Sequence, residues 1–324
     1  MTYDIYKYKH DVEWSLPVMF GQEFIWAAIY KTFMQFNIAP PKVNVFGAPQ
    51  CDWAGGRIPV VQKPDFNILE NIFNNMKLCN ATPTITFSYT GITKKNLDDS
   101  YCNALLDFAL EHNFKFIVYS DLLKDYIKEK SPDAYVIASV IKAVNKFQNA
   151  DKIANPSPEE ETEYYNELLK EYDMVVVRPE YSRTVLLEHP EYIDDISKIE
   201  VLINQTCVPN CPLAMSHYNS FEKHREGYDS AVPPFVCIKQ GYNNLEKGFK
   251  SNLVHTQEQV TKLVNKNGVR HLKLQGRGDE RPIFKQRLYE IYTQMFKTDG
   301  DGFLMLYYLN PALDNELYHL NMGR

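Results

Sequence analysis

The fold is decided by residues 84–140, which contain three short β-rich runs: Thr84-Ile-Thr-Phe-Ser-Tyr89, Phe114-Lys-Phe-Ile-Val-Tyr-Ser120 and Tyr135-Val-Ile-Ala-Ser-Val140. Amphipathic segments with helical spacing follow the first two runs, at 96–112 and 121–130. Strands that alternate with helices pair in parallel through right-handed crossover connections. This stretch therefore predicts consecutive strand–helix units of an α/β fold.

The same unit repeats on both sides of this stretch. Five further apolar runs are Trp14-Ser-Leu-Pro-Val-Met-Phe-Gly21, Val43-Asn-Val-Phe-Gly-Ala48, Met174-Val-Val-Val-Arg-Pro179, Ile199-Glu-Val-Leu-Ile-Asn204 and Arg270-His-Leu-Lys-Leu-Gln-Gly276. Helices are predicted at 22–37, 66–78, 158–171 and 282–297. Eight strands are the number that closes a TIM-type barrel. We therefore expect an α/β fold of the TIM-like (β/α)8 class, with an open doubly wound sheet as the alternative.

One barrel domain is expected to span residues 1–324, because no linker rich in Pro, Ser or Gly divides the chain. A long, irregular, cysteine-containing excursion at 207–253 separates the seventh strand from the eighth. The glutamates within 158–163 are expected to form the solvated first turn of a helix, where carboxylates suit the helix dipole.

Composition narrows the class of protein. The 324 residues are 44% hydrophobic and 23% charged, which is ordinary for a globular chain and excludes a disordered or coiled-coil one. The net charge of −6 disfavours general binding to nucleic acid. No window holds the roughly 20 apolar residues of a membrane span, and the first residues lack the apolar core of a signal peptide. We therefore expect a cytoplasmic protein that does not bind membranes.

Chemistry in such a barrel takes place where the strands end at their carboxyl termini. Polar residues follow these ends, and four of them are predicted to bind substrate: Tyr89, Arg178, Asn204 and Gln275. Arg57 and Arg277 each stand beside glycine, which lets a ligand approach the backbone closely. Because the guanidinium group is a planar fork for carboxylate or phosphate, the two arginines predict a small anionic molecule at this end. A salt bridge at the rim is the alternative for each arginine.

Two cysteines four positions apart give the strongest local signal. Cys207 and Cys211 follow the seventh strand, and Cys237 lies further along the excursion. Soft thiolates select iron–sulfur clusters or zinc. Cys51, after the second strand, could converge on the same end of the barrel as a fourth ligand. His217 is a further candidate ligand or acid–base group. Buried thiols without metal are the alternative.

The residues around this cysteine pair resemble a known family. The stretch Glu200-Val-Leu-Ile-Asn-Gln-Thr-Cys-Val-Pro-Asn-Cys-Pro, followed by His217-Tyr-Asn219, is similar to a signature of peptidase family U-32, the collagenase-like proteins. Phe235-Val-Cys237 matches a later cysteine of that family. His271-Leu-Lys-Leu-Gln-Gly-Arg277 resembles its Phe-Lys-Ile-Glu-Gly-Arg element, with Gln275 in place of the glutamate. The similarity extends over residues 14–298.

The resemblance implies a TIM-like barrel that holds a 4Fe-4S cluster through Cys207, Cys211 and Cys237, with Cys51 as the candidate fourth ligand. Relatives of this type hydroxylate RNA or ubiquinone precursors without oxygen. We therefore expect an iron–sulfur-dependent hydroxylase or related oxidoreductase that acts on a small or RNA-linked substrate, with His217, Arg57 and Arg277 in catalytic roles. The net charge of −6 disfavours RNA. The alternatives are a collagenase-like peptidase and a non-enzymatic zinc- or ligand-binding barrel.

Overall fold

A computed structural model of the chain describes residues 6–8, 11–20, 23–55, 63, 65–148, 156–205, 207, 209–225, 253–275, 291 and 293–297. Eight parallel strands close into one barrel. The closed pairing confirms the predicted (β/α)8 class, and the open sheet is wrong. None of the helices within these ranges is long and apolar enough to cross a membrane.

Each barrel strand overlaps one of the predicted apolar runs. The barrel strands are β1 Glu13–Leu16, β2 Lys42–Gly47, β3 Ala81–Phe87, β4 Lys115–Val118, β5 Val136–Ala138, β6 Met174–Val177, β7 Ile199–Leu202 and β10 His271–Lys273. They follow one another around the barrel in chain order, and β10 closes it by pairing with both β7 and β1. Two short strands outside the barrel, β8 Asn204–Gln205 and β9 Leu253–Val254, pair antiparallel.

Helices cover the outside of the barrel. They are α1 Glu23–Gln35, α2 Phe66–Leu78, α3 Ser100–Glu111, α4 Asp121–Lys130, α5 Val140–Phe147, α6 Pro158–Glu171, α7 Pro179–Arg183, α8 Val185–Glu188, α9 Ala214–Arg225 and α10 Gln257–Asn265. Side chains of Asp65, Asp99, Ser120 and Ser157 accept hydrogen bonds from first-turn N–H groups and so fix where four of them begin. The predicted helices at 22–37, 66–78, 96–112, 121–130 and 158–171 are confirmed.

The excursion is not irregular throughout, because it contains α9 and ends in β9. Most of the predicted helix at 282–297 lies outside the described residues.

The interior of the barrel is divided into an apolar and a polar part. Since side chains alternate between the two faces of a strand, every second residue points to the barrel axis. Five of these form an apolar cluster of their own: Phe46, Ile117, Ile137, Met174 and Val176. On β1, β7 and β10 the inward positions include charged or polar residues, and these lead to the candidate site.

Candidate functional site

The cysteine loop, of which residues 207 and 209–211 are described, leaves the barrel after β7 and the short β8. We call the region that follows the carboxyl ends of the eight barrel strands the barrel mouth. The backbone N–H of Asn210 donates to Glu180 Oε1 at 2.8 Å, and Gln148 Nε2 donates to the same oxygen at 2.8 Å. Asn210 adopts a positive φ of 51°, a conformation that asparagine tolerates. These contacts hold the cysteine loop against the end of β6.

Arg178 reinforces this attachment from inside the protein. Its Nε and Nη2 donate to the two oxygens of Glu161 at 2.7 and 2.9 Å, and its Nη1 lies 3.4 Å from Asn210 Oδ1. Arg178 is 1% exposed and Glu161 is 5% exposed. The prediction that the acidic run is solvated is therefore wrong for Glu161. Arg178 was predicted to bind substrate, and the structure places it in a buried ion pair that supports the cysteine loop.

Three of the four candidate cysteines lie in the described part of the chain, and they do not form one group there. Cys211 is buried and Cys207 is half-buried in the cysteine loop. Cys51 is buried elsewhere, where its thiol is hydrogen-bonded to that of Cys102, a contact that together with burial raises the pKa of Cys102. No group of three His, Cys, Asp or Glu residues suited to a metal occurs among the residues described. Cys237 lies outside them.

The described cysteines have the right chemistry for a thiolate-bound metal group. They supply only part of the ligands that such a group needs. Cys207 and Cys211 supply two soft donors in one anchored loop, whereas structural zinc and iron–sulfur clusters use about four ligands. Cys51 does not form a group suited to a metal with Cys207 and Cys211 among the described residues. Cys237 is therefore the cysteine that would have to join them.

Helix α9 runs along one side of the barrel mouth. Near its start, Met215 packs on Ile141 and Val144 of α5. Near its end, Glu222 accepts hydrogen bonds from the N–H and the hydroxyl of Thr90, which follows β3, at 2.9 and 2.7 Å. The helix therefore spans the ends of β3 to β5. It carries His217, a half-buried residue whose ring stacks on that of Tyr218 at 6.4 Å between centroids.

The remaining predicted residues lie at the ends of three strands. The side chain of Asn204 bridges β7 and β10, because its Oδ1 accepts from the N–H of Gln275 at 2.7 Å and its Nδ2 donates to the carbonyl of Gln275 at 3.3 Å. Gln275 itself is half-buried at the end of β10, and Tyr89 is half-buried after β3. Arg57 and Arg277 lie outside the described residues. Asn204 therefore braces the mouth, with both ends of its amide engaged.

The barrel axis holds a polar group that the sequence analysis did not identify. Glu200 is 0% exposed, and its two oxygens accept from Lys273 Nζ at 2.7 Å and Ser15 Oγ at 2.5 Å. The same Nζ lies 4.1 Å from the centre of the Phe46 ring. We call Ser15, Glu200 and Lys273 the axis triad. Its three members stand on β1, β7 and β10, which are adjacent in the closed barrel.

Further polar atoms face the axis beside this triad. Thr84 and Thr86 on β3 are 1% and 2% exposed, and neither hydroxyl has a hydrogen-bond partner among the described residues. Asn44 Oδ1 on β2 is also buried without a hydrogen-bond partner among the described residues. Buried polar groups in proteins are nearly always hydrogen-bonded. The polar side of the barrel interior therefore presents hydrogen-bonding atoms that a polar molecule can use.

A signal for the axis triad is present in the sequence. Ser15 stands between Trp14 and Leu16, and Lys273 stands between two leucines. A single polar residue at the centre of an apolar strand lies on the opposite face from its neighbours. In a barrel that face is the axis, so the alternation could have identified these residues once the barrel was assumed.

No protein-family model matches the sequence, and no curated protein matches it. Among solved structures, the chain is similar to the U32 peptidase Mk0906, over 82% of this chain and 93% of that chain, with 13% sequence identity and a TM-score of 0.47. The fold class rests on the strand pairing of this chain, and its relation to family U-32 stays a prediction.

Proposed function

We propose that the chain is a barrel enzyme of the U-32 type that catalyses an oxygen-independent hydroxylation or related redox reaction with an iron–sulfur cluster. One observation carries the proposal. The cysteine loop is anchored at the barrel mouth directly after β7, the strand that also supplies Glu200 to the axis triad. Two soft donor groups and a buried lysine–glutamate ion pair thus occur on one side of the barrel.

The ligands that we assign are Cys207, Cys211 and Cys237. Cys51 is left out because its free thiol is hydrogen-bonded to the free thiol of Cys102. A cluster bound to these thiolates would supply one-electron redox chemistry to a substrate at the barrel mouth. Zinc is the alternative metal, since thiolates also select it.

The side chains of the chain itself would bind the substrate and move protons. Arg57 and Arg277 are proposed to hold a small anionic molecule, and His217 to orient or protonate it. Lys273 Nζ and Glu200 Oε2, 2.7 Å apart, are within the distance at which a proton is shared. We assign Lys273 the role of donating a proton to the bound substrate, with Glu200 holding the ammonium group in place. A small molecule is favoured over an RNA-linked one by the net charge of −6.

Iron and acid-labile sulfide analysis of anaerobically purified protein tests this proposal. We expect about four irons per chain and a brown colour, as for a 4Fe-4S protein. The iron should be lost in Cys207→Ser and in Cys211→Ser. The matched control is Cys79→Ser, because Cys79 ends α2 and is half-buried away from the mouth. A protein that stays colourless and free of iron after anaerobic reconstitution would contradict the hydroxylase assignment, and zinc content would then be measured.

The hydrolase alternative is less well supported by the described residues. Ser182 Oγ and His255 Nε2 lie 2.9 Å apart, a distance suited to a nucleophile and its base. However, Ser182 is 0% exposed and His255 is 4% exposed, so a peptide cannot reach the hydroxyl in this conformation. Cleavage of a peptide panel that disappears in Ser182→Ala would favour the hydrolase instead.

A further inference from the structure

A polar cavity lies beside the barrel mouth. It is bounded by the start of α4, by the exposed side of α5 and by α6. Its volume is about 300 Å³. Six side chains of its lining come from the end of β4 and from the helices α4, α5 and α6: Tyr119, Asp121, Lys142, Asn145, Lys146 and Tyr164. None of these residues was assigned a role above. Two of the six are lysines and one is a carboxylate, so the lining carries a net positive charge.

Lys142 forms the fixed, inner part of this lining. It is 8% exposed, and its Nζ donates to the carbonyl of Tyr119 at 2.9 Å and to Asp121 Oδ1 at 2.8 Å. Asp121 Oδ1 also accepts from the hydroxyl of Tyr172 at 2.7 Å. The carboxylate of Asp121 is thus occupied by two donors, which reduces its repulsion of an anion. An ammonium group has three N–H bonds, so Lys142 keeps one donor beyond these two contacts.

Lys146 supplies the second, outer charge. It lies one helical turn after Lys142 and is exposed, with its Nζ 4.2 Å from the centre of the Tyr164 ring. The ring attracts the ammonium group and holds it at the edge of the cavity. No carboxylate lies within 4.0 Å of Lys146 Nζ in the part of the chain that the structure describes. The charge of Lys146 is therefore not neutralised by an ion pair there.

Neutral donors complete the cavity. Asn145 Nδ2 donates to the Tyr119 hydroxyl at 2.7 Å, which orients the O–H of Tyr119 as a donor to another group. The ten-residue helix α4 begins at the cavity, with Ser120 as its N-cap and Asp121 as its first residue. The positive end of a helix dipole favours an anion at this position.

We propose that this cavity binds an oxyanion, either the phosphate or the carboxylate group of a small molecule. The two lysines and the Tyr119 hydroxyl line the cavity as donors for its oxygens, and α4 begins beside them. A volume of this size accommodates the anionic group together with further atoms of a small molecule. The proposal uses none of the cysteines or arginines of the proposed reaction, so its success or failure does not depend on that reaction.

Isothermal titration calorimetry of the full chain with inorganic phosphate tests the proposal, with sodium acetate in a parallel titration at equal ionic strength. We expect saturable binding of at least one anion, and which one binds identifies the oxyanion. Lys146→Met should weaken that binding about tenfold, since a charge-assisted hydrogen bond to an anion is lost. Lys146 is exposed, so this substitution should leave the fold intact, as circular dichroism will show.

The matched control is Lys130→Met. Lys130 also stacks on a tyrosine, with its Nζ 5.5 Å from the Tyr126 ring centre, but lies outside the cavity. The Lys130→Met variant should bind the anion with the same affinity as the wild type. Absence of saturable binding of both anions, or equal affinity in Lys146→Met and the wild type, would overturn the proposal.

Discussion

The buried ion pair between Arg178 and Glu161 gives a prediction that links the acidic run to the cysteine loop. The substitution Glu161→Gln keeps the shape of the side chain and removes its charge. In the wild type, two hydrogen bonds of 2.7 and 2.9 Å join the pair, and the two residues are 1% and 5% exposed. The substitution therefore removes the carboxylate that is bonded to a buried guanidinium group, while Asn210 Oδ1 stays 3.4 Å from Nη1.

The expected cost follows from that burial. Removal of one partner of a buried ion pair destabilises a protein by about 3–5 kcal/mol, because the other charge is left without compensation. Urea unfolding at pH 7, followed by circular dichroism, measures this loss directly. The midpoint should move to lower urea, with no change in slope if only stability is altered.

Two controls make the result specific. Glu159→Gln removes a charge from the same helical turn at an exposed position, and its effect should stay within about 0.5 kcal/mol. The double substitution Glu161→Gln with Arg178→Met removes both charges, and it should be more stable than Glu161→Gln alone. If Glu161→Gln and Glu159→Gln lower stability by the same small amount, the reasoning about the buried pair is refuted.

Three further predictions concern other sites. Cys51→Ala should keep its iron, whereas Cys207→Ser should lose it, and equal iron loss in both would show that Cys51 is a ligand. Lys273→Met leaves the carboxylate of Glu200 buried and unpaired, so the free energy of unfolding should fall by about 3–5 kcal/mol, and the added substitution Glu200→Gln should recover part of it in urea unfolding. Burial first, and the charge of Arg183 second, lowers the pKa of His255 from 6.5 to about 4. Between pH 6.5 and pH 4 the unfolded chain therefore binds a proton at this histidine more readily than the folded chain, and the wild type should lose about 3 kcal/mol more stability than His255→Gln over this range.

The sequence was sufficient for the barrel because every strand has an apolar outer face, and β4, β5 and β6 are apolar on the inner face as well. The outer face packs on helices and part of the inner face packs on itself, so each strand stands out as a short continuous run. The start of α5 was harder to predict. Val140 and Ile141 favour a strand by residue type, but the Ser139 hydroxyl accepts from the N–H of Ile141 at 3.4 Å and the chain turns into a helix there.

The candidate site was predicted less completely, for a physical reason. Residues were chosen by their position after strand ends, and that rule cannot tell a side chain that faces a ligand from one that faces the protein. Arg178 and Asn204 satisfy the rule, yet their polar atoms are engaged by Glu161 and Gln275. Lys273 ends a strand too, but its partner Glu200 lies 73 positions away in the sequence. The two residues meet only because β10 pairs with β7.

The composition of the barrel interior indicates where catalysis would occur. Barrel interiors of this class are filled mainly by branched apolar residues, and β4, β5 and β6 conform to this with Ile117, Ile137 and Val176. An ion pair on the axis contributes little to stability compared with apolar residues of similar volume, so stability alone does not account for Lys273 and Glu200. These charges stand on β7 and β10, and the cysteine loop leaves the barrel from β7. A substrate that uses both sets of groups would therefore bind on the β7–β10–β1 side of the mouth.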